Sequence, residues 1–132
     1  PSTLKLNNLK NKYVFRNNEK KITIQAIPVK HGRIKSICYI VDNKLAYASD
    51  VSLISKKNFK LFKNLKYFII DCLWYKEHYS HFNLDQVLNL VKLFKPKKTI
   101  LTNMHSDLDY CKLKNKLPKN VFPGYDGMTI AL

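Results

Sequence analysis

The chain has 132 residues, 45% of them hydrophobic and 12% aromatic, which is material for one modest core and no more, so one domain, or part of one, is expected. No stretch approaches the ~20 consecutive apolar residues of a bilayer span, and residues 1–10 (PSTLKLNNLK) hold no signal-type apolar run, so a cytoplasmic protein with no membrane partner is expected. The formal net charge of +15 favours polyanions, but the lysines are spread along the chain among asparagines, without Arg-rich or aromatic-interleaved patches, so a solvated lysine-rich surface accounts for it as well as a nucleic-acid partner does.

In chain order, residues 1–20 are polar with weak alternation around Tyr13, Val14 and Phe15, which suits an edge strand and a loop. Residues 21–29 alternate Ile22, Ile24 and Ala26 against Thr23 and Gln25, predicting a strand that Pro28 ends, with His31 at its exit. Residues 36–41 and 45–48 are short β-rich runs, and Asp42-Asn43 between them suits a tight hairpin turn that leaves Asp50 just past a strand. Residues 56–62 read as a short amphipathic helix, and the apolar run 67–70 reads as a buried central strand ending at Asp71.

Asn83 is a good N-cap with Gln86 three positions on, and Leu84, Val87, Leu88, Val91 and Phe94 recur at helical spacing, predicting a helix over 84–94. A strand around 99–101, a polar loop over 103–109, a short helix near 110–116 and a final strand over 128–131 complete the chain. Alternating strands and helices without an internal repeat or linker give an α/β fold. Cys38, Cys72 and Cys111 are odd in number, far apart and outside any CxxC pair, and are expected as reduced core thiols.

The chemistry sits in His31, Asp50, His78, His81 and His105, which include all four histidines and fall at or near strand-to-loop transitions, where α/β proteins build sites. Singly each has a plainer reading, as a surface imidazole or a turn-capping carboxylate. Together they form a ligand mix that suits Zn or Mn, in which a carboxylate can bridge two ions and an imidazole cannot.

The segments VKHGRIKS (29–36), LAYASDVS (45–52), YFIIDCLWY (67–75), HYSHFNLDQVL (78–88), LTNMHSDLDY (101–110) and PGYDGM (123–128) resemble, in order, the C-terminal half of metallo-β-lactamase-fold hydrolases of the phosphodiesterase-like branch, typified by phosphoribosyl cyclic phosphate phosphodiesterases. The resemblance runs from about residue 20 to the end. It implies that residues 1–132 form a single partial domain, the C-terminal part of an αββα sandwich whose mixed sheet is flanked by helices. The H-x-H-x-D-H motif of the family's N-terminal half does not occur in this sequence.

Carried over by resemblance, His31 is a metal ligand, Asp50 bridges two divalent ions (Zn or Mn), and His81 stands close to the scissile phosphate as a proton donor with His78 beside it. Tyr79 replaces the proline usual in that histidine pair. The last ligand maps onto His105, two places after Asn103, where many relatives carry histidine; Asn103 is then a neighbouring polar or substrate-binding group. Asp107 and Asp109 are candidates for orienting the histidines, and Asp126 for anchoring the C-terminal turn.

The expected function of the complete protein is metal-dependent hydrolysis of a small, possibly cyclic, phosphodiester, this chain alone being inactive. Its site would be completed by an N-terminal half of the same fold or by a homodimer partner. The alternatives are an RNA-processing nuclease of the same fold, and a non-catalytic module that uses the half fold as a binding surface.

Overall fold

The computed structural model describes residues 11–16 and 19–132. Seven strands form one mixed sheet in chain order: β1 Lys12–Arg16, β2 Lys21–His31, β3 Ile34–Val41, β4 Leu45–Ala48, β5 Tyr67–Asp71, β6 Lys98–Thr102 and β7 Val121–Pro123. Strands β1 to β4 pair antiparallel and β4 to β7 parallel. The change of sense follows from the connections: tight turns join β2 to β3 and β3 to β4, whereas the parallel pairs are joined by crossovers carrying α1 Phe59–Phe62, α2 Leu84–Phe94 and α3 Tyr110–Lys116. No helix among the described residues is long and apolar enough to cross a membrane.

Local chemistry accounts for most element boundaries. Asp42 and Asn43 both have positive φ, at 50° and 53°, and Lys44 N–H donates to the Val41 carbonyl, the geometry of a two-residue hairpin turn that Asp and Asn tolerate. Helix α2 starts in a capping box: the Asn83 side chain accepts from Gln86 N–H while the Gln86 side chain accepts from Asn83 N–H. Asp109 caps α3 by accepting from Lys112 N–H.

Two sequence expectations are corrected. Strand β2 does not stop at Pro28; it runs to His31 with Pro28 opposite Ile37. Ala26 N–H donates to Asn11 and Lys30 N–H to Leu53 on the side of β2 away from β3, so Pro28, lying between them, lacks its donor where no strand among the described residues lies alongside. The last strand is Val121–Pro123, not residues 128–131. Met128 and Ile130 instead lie over Leu45, Tyr67 and Ile100, so their alternation reflects cover for the sheet and not a place in its ladder. The part of the expected N-terminal edge region at residues 1–10 lies outside the described residues.

Side chains alternate between the two faces of the sheet. One face carries Ile27, Val29, Cys38, Ile40, Ala46, Ala48, Phe68, Ile70 and Leu101, and packs against Phe62, Val87, Val91, Phe94 and Leu113 of the three helices. The rings of Phe62, Phe68 and Phe94 lie 5.5–6.0 Å apart at its centre. Across the other face the register lines up Ala26, Tyr39, Tyr47, Ile69, Ile100 and Phe122, with Tyr39 and Tyr47 exposed. Among the described residues the sheet therefore has one covered face and one apolar face open at its centre.

All three cysteines are free, but only Cys38 and Cys72 are core thiols as expected; Cys111 is exposed at the start of α3, and burial pushes the thiols of Cys38 and Cys72 up to about 12. Because the thiolate is the reactive species, a thiol reagent at pH 8 is expected to label Cys111 alone in the folded chain and all three after denaturation. Mass spectrometry after labelling checks this.

Candidate metal centre

Since β3 is antiparallel to both β2 and β4, strands β2, β4, β5 and β6 all run the same way and their C-terminal ends share one edge of the sheet. His31 ends β2, Asp50 follows β4, Asp71 ends β5 and Asn103 follows β6. Asp50 and Asn103 adopt positive φ, at 50° and 56°, a conformation that Asp and Asn reach more readily than other non-glycine residues. The loop after β5 brings His78 and His81 to the same edge, where the His31 and His81 rings lie 4.6 Å apart and those of His78 and His81 5.4 Å apart.

Three of the expected residues converge: one ligand atom from each of His31, Asp50 and His81 lies within 4.8 Å of the others. The imidazoles are oriented as metal-binding imidazoles are. His31 Nδ1 lies 2.7 Å from the Ser80 carbonyl, which can only accept, so Nδ1 carries the proton and Nε2 keeps its lone pair. His81 Nδ1 is hydrogen-bonded to a carboxylate oxygen of Asp71, which likewise leaves Nε2 free. The His31 Nε2 lone pair and the Asp50 carboxylate on one strand-end edge suit a divalent transition-metal ion, and His81 Nε2 faces the same space.

Asp71 was not among the site residues read from the sequence, although its position at the end of an apolar strand was visible. It is 0% exposed, and the same oxygen that meets His81 accepts from Val51 N–H at 3.2 Å. Burial raises its carboxyl above the ordinary carboxylate range, and the bonds from His81 and Val51 pull it back. Its other oxygen has no hydrogen-bond partner among the described residues. The loops are further tied by Phe82 N–H donating to the Val51 carbonyl at 3.1 Å and Gly32 N–H donating to Ser52 Oγ at 3.0 Å.

The other candidates lie around this set. His78 Nδ1 accepts from Ser80 N–H at 3.4 Å and lies 3.1 Å from Ser80 Oγ. His105 is outside the converging group: its Nδ1 accepts from Asp107 N–H, and its ring lies 5.4 Å from that of Trp74, whose Nε1–H donates to Asp107. Asn103 is the nearer residue, its side-chain amide 3.2 Å from Ser49 Oγ and 3.4 Å from Asp50 Oδ1.

Residues 2–104 match the model of a family described as "Beta-lactamase superfamily domain". The chain belongs to this family. Its sheet and helices are those of a metallo-β-lactamase fold, whose family is mainly hydrolytic and metal-dependent. Among solved structures it is similar to a diphosphatase of the PhnP family (TM-score 0.82, 24% identity, 90% of this chain and 46% of that one). It is also similar to the short form of human tRNase Z (0.66, 18%, 92% and 47%) and to the metallo-β-lactamase-fold protein YhfI from Bacillus subtilis (0.68, 14%, 91% and 53%). At these identities the likeness shows the fold. The chain spans about half the length of these structures. No curated protein sequence matches it.

Removing the Asp71 charge tests how the His81 ring is held. In imidazole nitrogen NMR spectra the native chain is expected to hold His81 with its proton on Nδ1, and Asp71→Asn to populate the other tautomer. An unchanged His81 spectrum in Asp71→Asn would show that the ring is fixed by other contacts.

Proposed function

We propose that this chain supplies one half of the active site of a metal-dependent phosphodiesterase acting on a small, possibly cyclic, phosphodiester. The observation that carries the reading is the convergence of His31, Asp50 and His81 with both imidazole Nε2 atoms free. In this reading His31 and Asp50 would hold the divalent metal, zinc or manganese, with Asp50 as the ligand that two such ions would share. The further ligand from this chain is His105 or Asn103, of which Asn103 stands beside Asp50. The bound ions would supply a water acidified toward neutrality and positive charge for the phosphate oxygens.

The chain's own residues do the rest. His81 faces the site with Nε2 and, as an imidazolium, would give the Nε2 proton to the departing oxygen and become neutral, while Asp71 stabilises the imidazolium before the transfer and fixes the direction of the ring. His78 stands behind it, its ring 5.4 Å away. The remaining ligands come from a second half of the fold, an N-terminal half or a homodimer partner, seated on the open sheet face that carries Tyr39, Tyr47 and Ile69. The substrate is cytoplasmic and no membrane takes part.

The test mixes the 132-residue chain with the N-terminal half of a structurally similar hydrolase and measures metal content and hydrolysis of an aryl phosphodiester. Two metals and activity are expected only in the mixture. His31→Ala and Asp50→Ala should lose metal and activity together, whereas His81→Ala should keep metal and lose about 10²- to 10⁴-fold in kcat. Metal-free, inactive mixtures would contradict the reading and leave a non-catalytic binding module.

The charge of +15, together with the likeness to a tRNase Z, favours a second reading as an RNA-processing nuclease. RNA affinity that falls steeply between 50 and 200 mM salt would support it, since a small substrate makes too few phosphate contacts for a steep slope.

A further inference from the structure

We infer that His105 is a positioning residue and not a metal ligand: its imidazole fastens the loop after β6 to the loop after β5, and Asn103 is the residue of the former that faces the metal edge. The inference rests on the metal reading for the place of the ions, and it decides between the two candidates for the further ligand from this chain.

The tautomers separate the histidines. His31 Nδ1 and His81 Nδ1 each face an oxygen acceptor, which puts the proton on Nδ1 and the lone pair on Nε2. His105 is the reverse. Its Nδ1 accepts the backbone N–H of Asp107 at 3.2 Å, and a backbone N–H can only donate, so Nε2 of the neutral ring carries the proton. One Asp107 carboxylate oxygen lies farther from the same nitrogen, at 3.5 Å, and the other accepts from Trp74 Nε1–H at 3.0 Å. With one nitrogen engaged and the other protonated, the ring has no lone pair for an ion until it gives up that proton or the bond from Asp107. His31, Asp50 and His81 converge without it.

The same residue ends a line of backbone hydrogen bonds that runs beside the site. The Val51 carbonyl, next to Asp50, accepts from Phe82 N–H at 3.1 Å. The Phe82 carbonyl, next to His81, accepts from Leu73 N–H at 3.0 Å, and the Leu73 carbonyl accepts from His105 N–H at 2.8 Å. The Trp74 ring lies 5.4 Å from the His105 ring, at a tilt of 36°. Residues 105 and 107 are thus held to residues 73 and 74 at two points, one through backbone and one through the indole. Asn103, two residues before His105 and at φ 56°, is left with its side-chain amide 3.4 Å from Asp50 Oδ1. The bond from Asp107 to Nδ1 closes the turn that makes this possible.

The experiment uses the 132-residue chain, zinc alone as the ion, and two variants. An asparagine oxygen can stand where His Nδ1 stands, whereas its short side chain does not reach the place of Nε2. His105→Asn therefore keeps the acceptor for Asp107 N–H and removes any Nε2 ligand, and His105→Ala removes both. Imidazole nitrogen NMR is expected to find the His105 proton on Nε2, unmoved by zinc. The Asp107 amide should exchange with solvent about fivefold faster in His105→Ala, and at the native rate in His105→Asn. His105→Asn should keep the zinc affinity of the native chain in calorimetry, which His31→Ala loses.

A zinc-induced move of His105 Nε2 to the position of a metal-bound nitrogen, or loss of zinc in His105→Asn, would overturn the inference. So would an Asp107 exchange rate indifferent to His105→Ala. A native chain that takes up no zinc would overturn the metal reading instead, and the Asp107 rates would then decide by themselves whether His105 fastens the loop.

Discussion

The arrangement depends on one buried carboxylate. Asp71, fully enclosed at the end of β5, uses a single oxygen to hold the His81 ring and the backbone N–H of Val51, which follows Asp50. A carboxylate taken out of water costs several kcal/mol unless it is paired and hydrogen-bonded, and its second oxygen has no partner among the described residues. A sheet stabilised only by its core gains little from such a group. Its value is positional, since it couples the loop after β4 to the loop after β5 and so sets the distance between Asp50 and His81.

The rest of the fold serves that edge. The helix-covered face, centred on Phe62, Phe68 and Phe94, makes the sheet rigid enough for strand ends to act as fixed points. Four of the strands that share a direction, β2, β4, β5 and β6, deliver His31, Asp50, Asp71 and Asn103 to one side. The opposite face, with Tyr39 and Tyr47 exposed, has no covering layer over its middle among the described residues.

Local signals in the sequence were sufficient where the structure is itself local. The capping box and the helical spacing of Leu84, Val87, Leu88, Val91 and Phe94 defined α2 to the residue, and Asp42-Asn43 defined the hairpin turn. Pro28 misled because whether a missing N–H matters depends on what lies alongside, which the sequence does not state. Met128 and Ile130 alternate as strand residues do, yet they cover the sheet beside Ile100. In the site, His31, Asp50 and His81 were legible as strand-end polar residues and by resemblance. The partnership of Asp71 with His81 was not, because it spans the turn of a loop, and neither was the direction in which Asn103 and His105 point.

The central claim is that His31, Asp50 and His81 are organised as ligand and proton donor before any partner arrives. Imidazole nitrogen NMR during a zinc titration of the chain tests it most directly. The account predicts that His31 Nε2 moves to the position of a metal-bound nitrogen while its Nδ1 keeps the proton, and that Asp50→Asn abolishes the change. Zinc that shifts only His105, with His31 unmoved, or uptake indifferent to Asp50→Asn, would contradict it.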